Sequence, residues 1–102
     1  METPIPLETT EYRIVLVDPR TREICVPVNG NQHRLISLVV PKSVRPARHL
    51  QKSLRAQWRV SVLILDILTA NGHAWPCAVA ELLDRHVPAG LTVVHRRLLA
   101  DG

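Results

Sequence analysis

Apolar residues cluster in short runs along the first forty positions, and each run is bounded by turn-forming residues. Tyr12-Arg13-Ile14-Val15-Leu16-Val17 is rich in β-branched and aromatic side chains, which predicts a strand. Asp18-Pro19-Arg20-Thr21 follows as a turn, with proline setting φ at its second position. Glu23–Val28 predicts a second strand. Pro27 has no N–H to give a ladder, so that strand is expected at a sheet edge. Asn29-Gly30 is a hairpin signal, because both residues tolerate positive φ. Leu35–Val40 would then be a third strand that closes a three-stranded meander.

The period changes after Pro41. Pro46 suits the first turn of a helix. From there to about Trp58, Ala47, Leu50, Leu54 and Trp58 fall on one face at 100° per residue. Arg45, Lys52 and Arg59 centre the opposite face, flanked by Arg48 and Arg55. Val60–Leu68 is apolar on both faces, which predicts a central strand covered on both sides. Asn71-Gly72 opens a turn. Trp75–Leu83 contains helix formers, but its place after a turn favours a strand. Pro88-Ala89-Gly90 reads as a loop and Leu91–His95 as a last short strand. The expected fold is α+β: a mixed or antiparallel sheet with one main amphipathic helix. A single domain over residues 11–99 follows a flexible N-terminal arm, residues 1–10.

Composition narrows the function classes. A chain of 102 residues supports one core. No apolar run approaches the ~18 residues of a membrane span, and the first residues lack the basic and apolar blocks of a signal peptide. Cys25 and Cys77 are too few for a disulfide framework. They read as buried thiols, and the expected location is cytoplasmic, away from the membrane.

The net charge of +4 is unevenly placed: no Asp or Glu occurs between Ile24 and Leu65. Within that span Arg45, Arg48, Lys52, Arg55 and Arg59 repeat at three- and four-residue intervals along one side of the predicted helix. Such a stripe is either a solvated face whose stems cover apolar surface or a surface for phosphates, nucleic acid or an acidic partner. Nucleic-acid binding lacks its usual aromatic platforms here, although duplex binding stays open on charge alone.

Catalytic signals are missing. Asp66 and Glu81 are the acids inside predicted strands. A hairpin turning at Asn71-Gly72 sets Asp66 opposite Cys77 and Glu81 opposite Val62. The two acids then lie about 13 Å apart, too far for a paired acid and base. His33, His49, His73, His86 and His95 show no metal-ligand spacing. No serine lies in a Gly-x-Ser-x-Gly context, and no glycine-rich phosphate loop exists. Neither a metal nor a cofactor is expected.

The order of elements resembles the core of the Nudix hydrolases. Tyr12–Val17 is similar to the opening strand of that family, and Arg34–Val40 to the strand before its signature loop. Gln51–Val62 resembles the signature helix and the strand after it, and Leu91–Leu99 the closing segment. The signature runs Gly, five residues, Glu, seven residues, then Arg-Glu-apolar-x-Glu-Glu-x-Gly-apolar. Its apolar places fall on Leu54 and Val60. The functional places are replaced: Leu38 and Val44 stand at the Gly and first Glu, and Lys52 and Ser53 at the Arg-Glu. Ala56 and Gln57 stand at the metal-holding Glu pair, and Arg59 at the final Gly. Without that pair the helix has no carboxylate to hold Mg²⁺ against a pyrophosphate. The resemblance therefore implies a catalytically silent binding or interaction module, not an enzyme. Its ligand would be a phosphorylated small molecule or an acidic protein. The alternative is a small basic nucleic-acid-binding domain. A homodimer is compatible with either.

Overall fold

A computed structural model describes residues 8–28, 33–68, 76–95 and 97. The order is β1 (Thr9–Asp18), β2 (Glu23–Pro27), β3 (Ile36–Pro41), α1 (Pro46–Trp58), β4 (Val62–Leu68), β5 (Cys77–Leu82) and β6 (Leu91–Val94). Six strands form one mixed sheet, with α1 on one side, so the fold is α+β. β1 begins at Thr9, inside the stretch expected to be a loose arm.

β1 organises the sheet. Along one edge it pairs parallel to β5, from Arg13 beside Cys77 to Val17 beside Glu81. Its other edge is shared. Leu16–Asp18 pair antiparallel with β2, and Thr9–Ile14 pair antiparallel with β3. The expected meander is therefore corrected: β3 pairs with β1 and not with β2. The two behave as one long partner of β1, interrupted between Cys25 and Ile36. The Asn29-Gly30 hairpin expected there lies outside the described residues.

Two further expectations change. β2 is not an edge strand, since it lies between β1 and β6. Pro27 is tolerated because Val28 N–H donates to Gly90 O at 3.1 Å, so alternation turns Pro27 nitrogen away from β6. On that side the strand has already left β1, whose last partner is Cys25. β4, expected to be central, is an edge strand, paired among the described residues only with β5. Its second apolar face stays open: Leu63, Leu65 and Leu68 are 48%, 52% and 51% exposed. Apolarity on both faces matched a strand buried twice, but the described helix covers only one face. Trp75–Leu83, ambiguous in sequence, contains strand β5.

The core lies between α1 and the sheet. Leu50 and Leu54 from α1 are fully buried, as are Ile14, Leu16, Ala78, Ala80 and Val60. Ala78 and Ala80 are small enough for the helix to approach β5. Burying each leucine contributes about 1.5–3 kcal/mol. A second, smaller cluster of Ile24, Val26 and Val94 forms with Val15 and Leu35. Among the described residues no helix is long and apolar enough to cross a membrane.

Candidate functional site: the cationic face of α1

The heptad-like spacing of Leu50 and Leu54 pins one face of α1 to the sheet, which turns Arg45, Arg48, Lys52, Arg55 and Arg59 outward. All five are exposed. Steps of four and three residues place the helical three, Arg48, Lys52 and Arg55, within about 60° of arc, with Arg45 and Arg59 at the two caps. From Arg45 to Arg59 the stripe covers fourteen residue steps, or about 21 Å at 1.5 Å per step. No acidic residue occurs in the first turn. Among the described residues none of the five forms an ion pair; Lys42, outside the helix, meets Glu8 at 4.0 Å.

Both helix ends are unusual. Arg45 occupies the N-cap with extended φ and ψ, and no side chain caps the free amides there. Pro46 fills the first helical position, where a missing N–H costs nothing. At the other end Arg59 is left-handed, with φ 56° and ψ 37°. Its N–H donates to Arg55 O at 3.1 Å, and Val60 N–H donates to Leu54 O at 3.5 Å. Glycine normally supplies this cap geometry. Leu54 and Val60, which flank this cap, are both fully buried.

Two clefts flank the stripe and share Lys52. One, of about 310 Å³, is lined by Val44, Arg45, Arg48, His49 and Lys52. The other, of about 260 Å³, opens between α1 and the start of β4 and is lined by Gln51, Lys52, Arg55, Val60, Ser61 and Val62. Gln51 Nε2 donates to Val62 O at 3.1 Å. Ser61 O accepts from Leu83 N–H at 2.9 Å, so by alternation the next carbonyl, that of Val62, points to the free edge of β4. Gln51 thus blunts that edge at its first residue. Ser61 N–H donates to Asp84 Oδ2 at 2.7 Å, which fixes the entry into β4. Sequence reasoning identified the cations but not Val44, His49, Gln51 and Ser61. Gln51 carried a weak signal, as an amide on the border between apolar and cationic faces.

The carboxylates lie closer than expected. Asp66 lies opposite Val79 and Glu81 opposite Leu63, with a register shift between Ile64 and Asp66. They are two β5 positions apart rather than four, about 7 Å along the strand. Asp66 is exposed and accepts from Ile67 N–H at 2.8 Å. The turn assumed at Asn71-Gly72 lies outside the described residues. Among the described residues no group of three or more His, Cys, Asp or Glu side chains comes together to hold a metal.

Among the described residues the most buried acid stands elsewhere. Asp18, at the end of β1, is 3% exposed. Its carboxylate accepts from Arg20 N–H at 3.0 Å, Nε at 3.1 Å and Nη2 at 3.3 Å. The Arg20 side-chain hydrogen bonds hold the Asp18 carboxyl below its ordinary range, outweighing the opposing effect of burial. Burial pushes the Cys25 thiol up to about 11, with the Asp18 charge adding to it. Burial also raises the half-buried Cys77.

No protein-family profile matches the chain, and no curated protein does. Among solved structures, a Sinorhizobium meliloti 1021 protein described as a candidate oxidoreductase is similar in fold, with a TM-score of 0.62 at 18% identity. The likeness covers 90% of this chain and 32% of that one, so the chain spans about a third of the structure it resembles. At that identity the comparison speaks to fold alone.

Proposed function

We propose that this chain is a catalytically silent, Nudix-like interaction module that binds a phosphorylated ligand or an acidic partner through the cationic face of α1. One observation carries the binding reading. Five cations stand exposed along one side of a single helix, with no ion pair among the described residues, in a stretch of sequence that holds no acid. A face kept only for solubility gains from mixed signs, because opposite charges three or four residues apart stabilise a helix and like charges destabilise it. An unmixed stripe keeps that repulsion until an anion arrives.

The Nudix-like reading is supported by the end of α1. The residue aligned with the signature glycine takes the left-handed conformation that glycine favours, between two fully buried apolar positions. The signature carboxylates are replaced by Ala56 and Gln57, both exposed. With no acid on this helix edge, the residues that would hold a divalent ion against pyrophosphate are missing.

Titration calorimetry with inorganic tripolyphosphate, nucleoside diphosphates and an acidic peptide tests the proposal. Binding to at least one probe should weaken with salt and be lost in the combined R48Q, K52Q and R55Q variant. Silence across the panel, or binding that the variant retains, overturns it.

A further inference from the structure

The stripe has a period as well as a charge, and the period selects among anions. Successive cations lie three, four, three and four residues apart. At 1.5 Å per residue the intervals are about 4.5 and 6 Å, a mean of about 5.2 Å. We propose that the partner is an acidic amphipathic α-helix of another protein, lying along α1 with Asp or Glu at the same three- and four-residue spacing. This rests on reading the α1 face as a binding surface.

Congruence of repeat carries the argument. A second helix with that spacing presents five carboxylates over the same length of about 21 Å, so every cation meets one. An extended acidic strand turns every second side chain to one side, a repeat of about 6.7 Å. Over four intervals it would reach about 27 Å and lose register with the stripe by roughly one position. A compact phosphate would engage two neighbouring cations and leave the others repelling one another.

Nucleic acid fits less well on two counts. Each strand of duplex DNA places a charge every 3.4 Å or so of the duplex axis, on a path that winds around that axis, so a straight stripe meets few phosphates in phase. Single strands are held by stacking. Of the described aromatics, Tyr12 is buried and Trp58 packs against the core with its ring 3.7 Å from where a side chain on Gly90 would begin. The Gln51 amide, a potential base reader, is committed to Val62.

The two clefts suit the apolar residues of such a helix. Val44, 41% exposed, lies beside one end of the stripe; in the cleft towards the other end Val60 and Val62 are buried, and the apolar surface left open is that of the aliphatic stems of Lys52 and Arg55. An acidic helix with an apolar residue near each end of its carboxylate row would seat one in each cleft. The charges provide steering and the clefts the register.

Two helix-forming peptides of identical composition test the inference. One carries five glutamates at three- and four-residue steps, flanked by leucines. Its isomer distributes the same glutamates around the helix. Fluorescence anisotropy at 50 and 200 mM NaCl is compared with tripolyphosphate, a single-stranded and a duplex 15-nucleotide DNA. The striped peptide should bind at least tenfold tighter than its isomer at 50 mM NaCl. That ratio should fall towards one in the R48Q, K52Q and R55Q variant, with circular dichroism verifying that the variant is folded. Equal affinity for both peptides overturns the helix proposal. Tighter, stripe-dependent binding of DNA or tripolyphosphate also overturns it while leaving an anion-binding face in place. No stripe-dependent binding by any probe overturns both readings.

Discussion

Replacing Arg48 by glutamate should stabilise the free protein while abolishing its anion binding. Arg48 is the third helical residue of α1, with Arg45 three positions before it and Lys52 four after. Each like-charged pair at these spacings costs about 0.2–0.5 kcal/mol, and an opposite pair returns about as much. Reversing one charge across two pairs is therefore worth roughly 0.8–2 kcal/mol. The macrodipole adds to this, because a cation in the first turn is unfavourable and an anion favourable, each by about 0.3–1 kcal/mol. A glutamate at this position can also reach back to the free N-cap amide, a capping-box contact that α1 now lacks. Such increments are not fully additive, so the low end of their sum, ~1.5 kcal/mol, is the working value. For a domain of this size that raises Tm by about 6–12 °C. The assay is thermal unfolding followed by circular dichroism at 20 mM and 1 M NaCl. The gain should be largest at low salt and mostly gone at 1 M, where the screening length is about 3 Å. A Tm that falls or stays level at low salt would show that the stripe is already neutralised within the fold. The unmixed charge would then cost the free protein nothing that a bound anion could relieve.

Two further outcomes follow from particular residues. Arg59→Gly should stabilise the protein by ~1 kcal/mol relative to Arg59→Ala, because only glycine occupies φ 56° without strain; equal urea midpoints for the two variants would refute the cap geometry. Asp18 has a native pKa below its ordinary 3.8 because of Arg20, so its stabilising contribution is complete above that value and is lost as pH falls through the native pKa. The stability difference between wild type and Asp18→Asn should accordingly shrink as pH falls below about 4, and a difference constant with pH would exclude this ion pair as its source.

The helix was legible because its signal is local. Leu50 and Leu54 recur at the helical period, proline marks the start, and no competing pattern overlaps it. The five cations were legible for the same reason. Strand existence was legible too, even for Cys77–Leu82, where small helix-forming residues sit beneath α1. Strand neighbours were not. Pro27 signals a missing donor but not the direction that donor would have faced, and here it faces a side already empty. The apolar run of β4 could not reveal that one of its faces is left open, because that depends on which elements lie above the sheet. The Asp66 register was not legible: Asp66 pairs with Val79, two residues from the expected Cys77, and one extra residue near Leu65, which no local preference announces, leaves Glu81 opposite Leu63, one residue from the expected Val62. The clefts beside Lys52 exist only once Val60–Val62 are folded back against α1, so their outlines required the tertiary structure.

The parallel pairing of β1 with β5 has a consequence for synthesis on the ribosome. Val17 and Glu81 are neighbours in space but about 60 residues apart in sequence. At roughly 5–20 residues per second the chain needs about 3–12 s to produce β5 after β1 has emerged. The β1–β2 hairpin and β3 can close during that interval, yet one edge of β1 stays unpaired beside Ile14 and Leu16, with no β5 to complete the layer under α1. Nascent chains will therefore carry an open, apolar strand edge for seconds, which is the form most prone to pairing with a neighbouring nascent chain. The yield of folded protein should depend on how quickly the segment from α1 to β5 is translated, more than on the stability of the finished domain.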